Sequence, residues 1–308
     1  MGSSHLRDER GMALTELALL LLALMGSLAL VVDIGRAYAE RWRMQNAADA
    51  AALAGTRALY LEGEAQAEQV AAEYAQRNGA KNVTVSVNDG LNTVRVEAKT
   101  DFPTFVASIL GIDTLAANNP AEAIHGAVSE FTTGLYPIAV DAKHLDLDAE
   151  LGFEYDKIYD MYVGTQPGNF GWLSWDGTMA EGYLCLSLIP PGRSGDYINP
   201  ENPNDHVINI GDWVWGRPGV ANSICVRNAL DYFEDYHIPI TIVVWDDVRY
   251  SGSDAQYRVA GFAEFVITYY HLPGTNQIVG MFKRCFKDTT KITTSQYSDF
   301  GVHGVKLI

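Results

Sequence analysis

The chain has 308 residues, 48% of them apolar and 19% charged, a balance ordinary for a folded protein, so the ectodomain need not be disordered, and the length leaves room for about one or two globular domains beside a membrane segment. Its 22 basic and 38 acidic residues give a net charge of −16, which argues against a nucleic-acid surface and suits an acidic, soluble exterior. Cys185, Cys225 and Cys285 lie 40 and 60 residues apart without C-x-x-C or close His–Cys spacing, so a zinc site is not expected; one disulfide with a leftover thiol and three buried thiols both remain open.

Residues 1–11 are short and polar and read as a leader or cytoplasmic stub. From Leu17 to Val32 there is no charge and no proline, and Glu16 and Asp33 bracket the run. Crossing a bilayer core takes about 20 apolar residues, a length reached when Met12 to Glu16 enter as well. The run is too long for the apolar region of a cleaved signal peptide, and no A-x-A-like site ends it, so it reads as a retained membrane helix. Residues 12–61 lack proline and carry glycine only at 26, 35 and 55, which predicts one continuous helix: an apolar half over 12–33 and a polar stalk over 34–61. The stalk is rich in alanine, which favours helix and also permits close helix–helix approach.

Residues 62–130 are expected to form a small helix-plus-hairpin unit. A helix over 64–77 places Ala67, Val70, Ala71 and Tyr74 on one face and stops at Asn78-Gly79. Val83, Val85 and Val87 alternate, Asn88-Asp89-Gly90 turns, and Val94, Val96 and Ala98 alternate again, a hairpin with one buried face. A short helix is expected from Pro103 to Leu110, ending at Gly111. Residues 131–308 read as a β-rich ectodomain, making the fold class α+β. Strands are expected at Pro137–Asp141, Phe153–Ile158, Tyr183–Ile189, His206–Val214, Pro239–Asp246, Tyr257–Tyr270 and Gln277–Phe286, the runs Ile240–Val244 and Phe262–Tyr270 being the strongest. A helix follows Pro218-Gly219 with Val220, Ile224, Leu230 and Phe233 as its stripe, and the polar loop 190–205 is the expected exposed tip.

No catalytic constellation emerges. Asp146-x-Asp148-x-Glu150 has Leu151 and Lys157 where a calcium loop needs glycine and a carboxylate. Asp246-Asp247 lacks a partner that sequence can place, Ser194 lacks the G-x-S-x-G elbow, and the histidines show no ligand spacing. The chain reads as a non-enzyme with no cofactor and no metal site. Asn82-Val83-Thr84 is a sequon, relevant only where glycosylation machinery exists.

Glu16 is the informative residue, because a carboxylate in a membrane helix is costly and commonly has a partner. Gly11-Met12 followed by Glu16 and an apolar run has the form of a type IV prepilin-like signal. Cleavage between Gly11 and Met12 frees an amine, protonated at neutral pH, able to pair with Glu16 of the same or a neighbouring subunit. The alternative is a plain signal anchor with Glu16 at headgroup level.

Downstream, Asp33-Ile34-Gly35-Arg36-Ala37-Tyr38 and Arg41-Trp42-Arg43-Met44-Gln45-Asn46-Ala47-Ala48-Asp49-Ala50-Ala51-Ala52-Leu53-Ala54-Gly55 resemble the N-terminal module of TadE/TadG-like proteins of Tad, or Flp-type, pilus machinery. The resemblance covers residues 10 to about 58. It implies a pilin-like subunit or pilus-accessory protein, membrane-inserted and facing outward, with a prepilin peptidase, other pilus components and further copies of the chain as partners. It also implies assembly positions at Glu16, Asp33, Gln45, Asn46 and Asp49. TadG proteins in the strict sense carry a von Willebrand A domain with a D-x-S-x-S metal motif; no such motif occurs here. A literal count of Arg36, Arg41 and Arg43 after the run, against Arg7 and Arg10 offset by Asp8 and Glu9, places the C-terminal side inside; the resemblance places it outside. Pro167-Gly168-Asn169-Phe170-Gly171-Trp172-Leu173 and Val259-Ala260-Gly261-Phe262-Ala263-Glu264-Phe265 resemble stretches of ectodomains in the same group, with Phe170, Trp172 and Phe262 expected to fill core. The competing functional reading is a permanently anchored extracytoplasmic binding protein using the 190–205 loop; an anchored hydrolase ranks below both.

Overall fold

The computed structural model describes residues 5–142, 154–162, 171–219, 221–272, 277–295 and 298–308. They form a mixed α+β chain that divides into two compact units, Met1–Ile124 with Leu307–Ile308, and His125–Lys306.

The first unit is built on α1 (His5–Glu62), a single unbroken helix about 85 Å long at the standard rise. The helix begins before Met12, so residues 5–11 share it. Gly63, at φ 94°, supplies the reversal into α2 (Glu64–Arg77). The α2 face that packs is Ala67, Ala71 and Ala75; Val70 is half-buried and Tyr74 is exposed, a shift from the expected stripe. Alanine wins here because the backbones are close: a Cβ at Gly55 would stand 2.8 Å from the Cβ of Ala71. The hairpin follows as β1 (Asn82–Asn88) and β2 (Thr93–Pro103), with Val83, Val85 and Val87 opposite Ala98, Val96 and Val94. Its turn is a 3₁₀ segment, Asp89–Leu91, closed by the Asn88 side chain accepting from the Leu91 N–H. Strand β2 continues to Pro103, so the expected helix from Pro103 to Leu110 shrinks to one 3₁₀ turn, Ala107–Leu110, before Gly111 at φ 83°. The chain then returns as β3 (Thr114–Val128), a strand the sequence reading missed, with Thr114 to Ile124 paired along β2.

Strand β3 enters the second unit at His125. There follow β4 (Glu130–Phe131), β5 (Leu135–Asp141), β6 (Ile158–Tyr162), β7 (Leu173–Ser174), α3 (Glu181–Leu188), β8 (Ile208–Asn209), β9 (Trp213–Gly216), α4 (Ile224–Asp235), β10 (Pro239–Arg249), β11 (Gln256–His271), β12 (Gln277–Lys283), β13 (Cys285–Phe286), β14 (Ile292–Thr293) and β15 (Val302–Leu307). Among the described residues the main sheet runs β5-β10-β11-β12-β6, with β9 on β11 and β7 on β9; β5 and β10 are parallel and the other neighbours antiparallel.

Both faces of that sheet are covered. Ile240, Ile242, Val244, Phe265, Ile278 and Phe282 pack with Leu184 and Leu188 of α3 and Val226, Leu230 and Phe233 of α4. Val243, Val259 and Phe262 face the other way, with Trp175, Tyr197 and Val214. The runs Ile240–Val244 and Phe262–Tyr270 are therefore strands, and Trp172 and Phe262 are core as expected; Phe170 lies outside the described residues.

Several expectations are corrected. Tyr183–Ile189 is the helix α3: Leu184, Cys185 and Leu188 are buried on one helical face, and Ser187 bonds back to the Tyr183 carbonyl at 2.9 Å. His206–Val214 yields only two short strands, β8 and β9. Residues 154–157 are not strand, and Phe153 lies outside the described residues. Ile224 is exposed at the start of α4, where Val226 takes its place in the stripe, and Val220 is outside the described residues. The 190–205 segment is not a free tip, since Ser194, Tyr197 and Asn199 are buried. Cys185 and Cys225 form a disulfide joining α3 to α4, with Cα atoms 5.8 Å apart, and Cys285 is the free thiol.

Candidate functional site

The residues singled out from sequence lie along α1. Over the apolar run the side chains are exposed, Leu17, Leu24, Leu28 and Val32 each by more than half, and the helix carries a stretch long and apolar enough to cross a membrane. Glu16 is exposed near one end of the run. Asp33 at the other end is about 25 Å away along the axis, so these two acids do not form a common site. Gly11 and Met12 lie within α1.

Asp33 is buried and belongs to the chain's own fold. Its Oδ1 accepts the N–H of Phe105 at 2.7 Å, and its Oδ2 accepts those of Val106 and Ala107 at 2.8 and 2.9 Å. Three backbone donors converging on one carboxylate suit its ionised form and fix the loop to that level of the helix. One turn on, the Arg36 guanidinium lies over the rings of Phe105 and Phe102, 5.3 and 5.9 Å from their centres.

Further along, Gln45 donates to Asp49 at 2.7 Å and accepts from the Asn119 side chain at 2.9 Å, while the Thr56 hydroxyl donates to the Ala123 carbonyl at 3.2 Å. Asn46 is exposed. Met44, Ala47, Ala48, Ala51, Ala52, Ala58 and Leu59 are buried, so the alanine-rich stalk is a packing face within the chain. Asp33 thus ties the loop between β2 and β3 to α1, and Gln45, braced by Asp49, ties β3 to it. The 105–107 amides that answer Asp33 carried no signal in the sequence, because backbone donors are mute in side-chain patterns.

These contacts also give the hairpin a direction. Gly55 meets Val94, Gln45 meets Asn119 (opposite Ala98), Arg36 meets Phe102, and Asp33 meets 105–107. The 22 helical residues from 55 to 33 rise about 33 Å, and 11 extended residues from 94 to 105 span about 36 Å, so strand and helix run alongside each other in opposite directions.

In the second unit the candidate groups have structural partners. Arg258 grips Asp246 with two hydrogen bonds, 2.8 and 3.1 Å, and buried Ser194 accepts the Leu135 N–H at 3.0 Å. The segment Asp146–Glu150 lies outside the described residues. One cluster escaped sequence reasoning: the Nδ1 atoms of His125 and His303 are 2.9 Å apart, and His303 Nε2 donates to Asp299 at 2.9 Å. Burial, together with His303, holds the His125 imidazole down to about 4. Burial opposes ionisation of Asp299, but the hydrogen bond and charge of His303 outweigh it and keep that carboxyl below its ordinary value. Burial, with Glu264 beside it, pushes the Cys285 thiol up to about 12, so it is an inert thiol. Among the described residues no group of His, Cys, Asp and Glu is arranged to hold a metal.

Residues 11–67 match the model of the Tad family, putative Flp pilus-assembly TadE/G-like. The N-terminal module is Tad-like. The matched stretch contains Met12, Glu16, Asp33 and the Gln45–Asp49 segment, where the sequence resemblance lay, and supports a Tad pilus-related role. No curated protein and no solved structure matches the chain.

Proposed function

We propose that this protein is a pilin-like subunit or accessory component of a Tad/Flp-type pilus, anchored and assembled through the apolar half of α1. The observation that carries the reading is the Tad match over residues 11–67, which spans the exposed Leu17–Val32 run. Apolar side chains left uncovered over more than four turns require a bilayer before assembly or sister helices after it. In this reading a prepilin peptidase cuts between Gly11 and Met12, and the new amine pairs with Glu16 of a neighbouring copy, setting axial register. Asn46, exposed on the stalk, is available to other copies. The acidic β-rich ectodomain faces outward and keeps free subunits apart.

The test is the N-terminal sequence of protein sheared from cells. The expected chain begins at Met12, and Glu16→Ala inserts in membrane but is lost from the sheared fraction. A sheared chain keeping residues 1–11 overturns the amine–Glu16 pairing, and native protein found only in membranes overturns the filament role.

A further inference from the structure

We infer that the tip of the β2–β3 hairpin, residues 105–112, is a second membrane contact: an apolar foot resting in the interfacial zone of the bilayer from which α1 emerges. The inference rests on the anchoring reading above. Its physical basis is the level at which the tip is held. Asp33 directly follows the last residue of the apolar run, and its carboxylate binds the amides of 105, 106 and 107. The hairpin runs down α1 toward that run, so the residues beyond Pro103 are those nearest the membrane end.

The tip has the composition of an interfacial segment. Phe105 to Ile112 reads FVASILGI, without a charge, between Asp101 and Asp113. Three of its large side chains are exposed, Ile109 by 82%, Phe105 by 61% and Ile112 by 48%, while Val106 is half-buried. A soluble turn at the end of a hairpin is ordinarily polar, and this one presents apolar bulk where the helix leaves hydrocarbon. The helix at the same height carries the matching belt. Tyr38 and Trp42 are both exposed, their rings 6.1 Å apart, and lie about 7 and 13 Å beyond Asp33, in the headgroup layer where such rings collect. The Arg36 guanidinium lies against the Phe105 ring at that level, 5.3 Å from its centre. A helix alone is free to rotate and tilt in the bilayer; a foot tied to Asp33 restricts both for the first unit.

The test uses the full chain in phosphatidylcholine vesicles, in a Cys285→Ala background with the Cys185–Cys225 disulfide left oxidised. Single fluorophores go on Leu24→Cys, Ile109→Cys, Ile112→Cys and Leu91→Cys, the last on the exposed turn at the other end of the hairpin. Lipids carrying nitroxide at a shallow or a deep position quench them by depth. The expected result is deep quenching at 24, shallow quenching at 109 and 112, and none at 91. Quenching at 24 with none at 109 and 112 overturns the foot and leaves the anchor standing. A blue-shifted but unquenched label at 109 assigns the tip to a protein neighbour and also overturns the lipid contact. No quenching at 24 removes the anchor, and the foot with it.

Discussion

Along α1 the more apolar half is the exposed one. Leu17–Val32 turns leucine and valine outward, whereas the alanine-rich stretch from Met44 to Leu59 buries one face, Ala47, Ala48, Ala51, Ala52 and Ala58 among it, within the first unit. The difference shows that side-chain size follows the partner. Small residues permit backbone approach and exact a tight fit within the chain; large ones suit a fluid or repeating partner that the chain does not itself contain.

The largest expected effect comes from placing a charge in each half. Ala51→Asp buries an unpaired carboxylate and is expected to destabilise the first unit by several kcal/mol, read by urea unfolding; Leu24→Asp leaves that unfolding unchanged. Equal losses would erase the contrast. Acid is the next probe, and it acts on neither half. With His125 held near 4 when folded and about 6.5 when unfolded, the unfolded chain binds the extra proton first. Stability of the 125–306 unit should therefore fall by up to about 3 kcal/mol between pH 6.5 and 4, and His125→Gln should flatten that slope. Gly55→Leu overpacks the contact with Ala71 and should cost about 1–3 kcal/mol, partly offset by better helix propensity. The smallest effect is local: Asp33→Asn should speed amide hydrogen exchange at 105–107 without moving the global transition.

Where periodicity was strong, sequence and structure agree. The long helix, the Val83–Ala98 hairpin and the strands around Ile240–Val244 and Phe262–Tyr270 follow directly from their patterns. Tyr183–Ile189 misled because alternating apolar residues in a short run fit either period, and only the pairing of Cys185 with Cys225 and the sheet beneath it select the helix. Strand β3 was hidden because its first two thirds, TLAANNPAEA, carry mostly small and polar residues, of which only Ala117 and Ala123 are buried, and are held largely by pairing with β2. For the site, Glu16 and Asp33 were legible as acids at the ends of an apolar run. The partners of Asp33 were not, since they are backbone N–H groups 72 to 74 residues away.

The most direct test removes residues 1–32. If the apolar half serves only partners outside the chain, the shortened protein is folded and monomeric, melts close to the full-length chain, is released from membranes by an alkaline wash, and is absent from sheared filaments. A shortened chain that aggregates unfolded, stays embedded after that wash, or still assembles in filaments contradicts the division of α1 on which the proposed role stands.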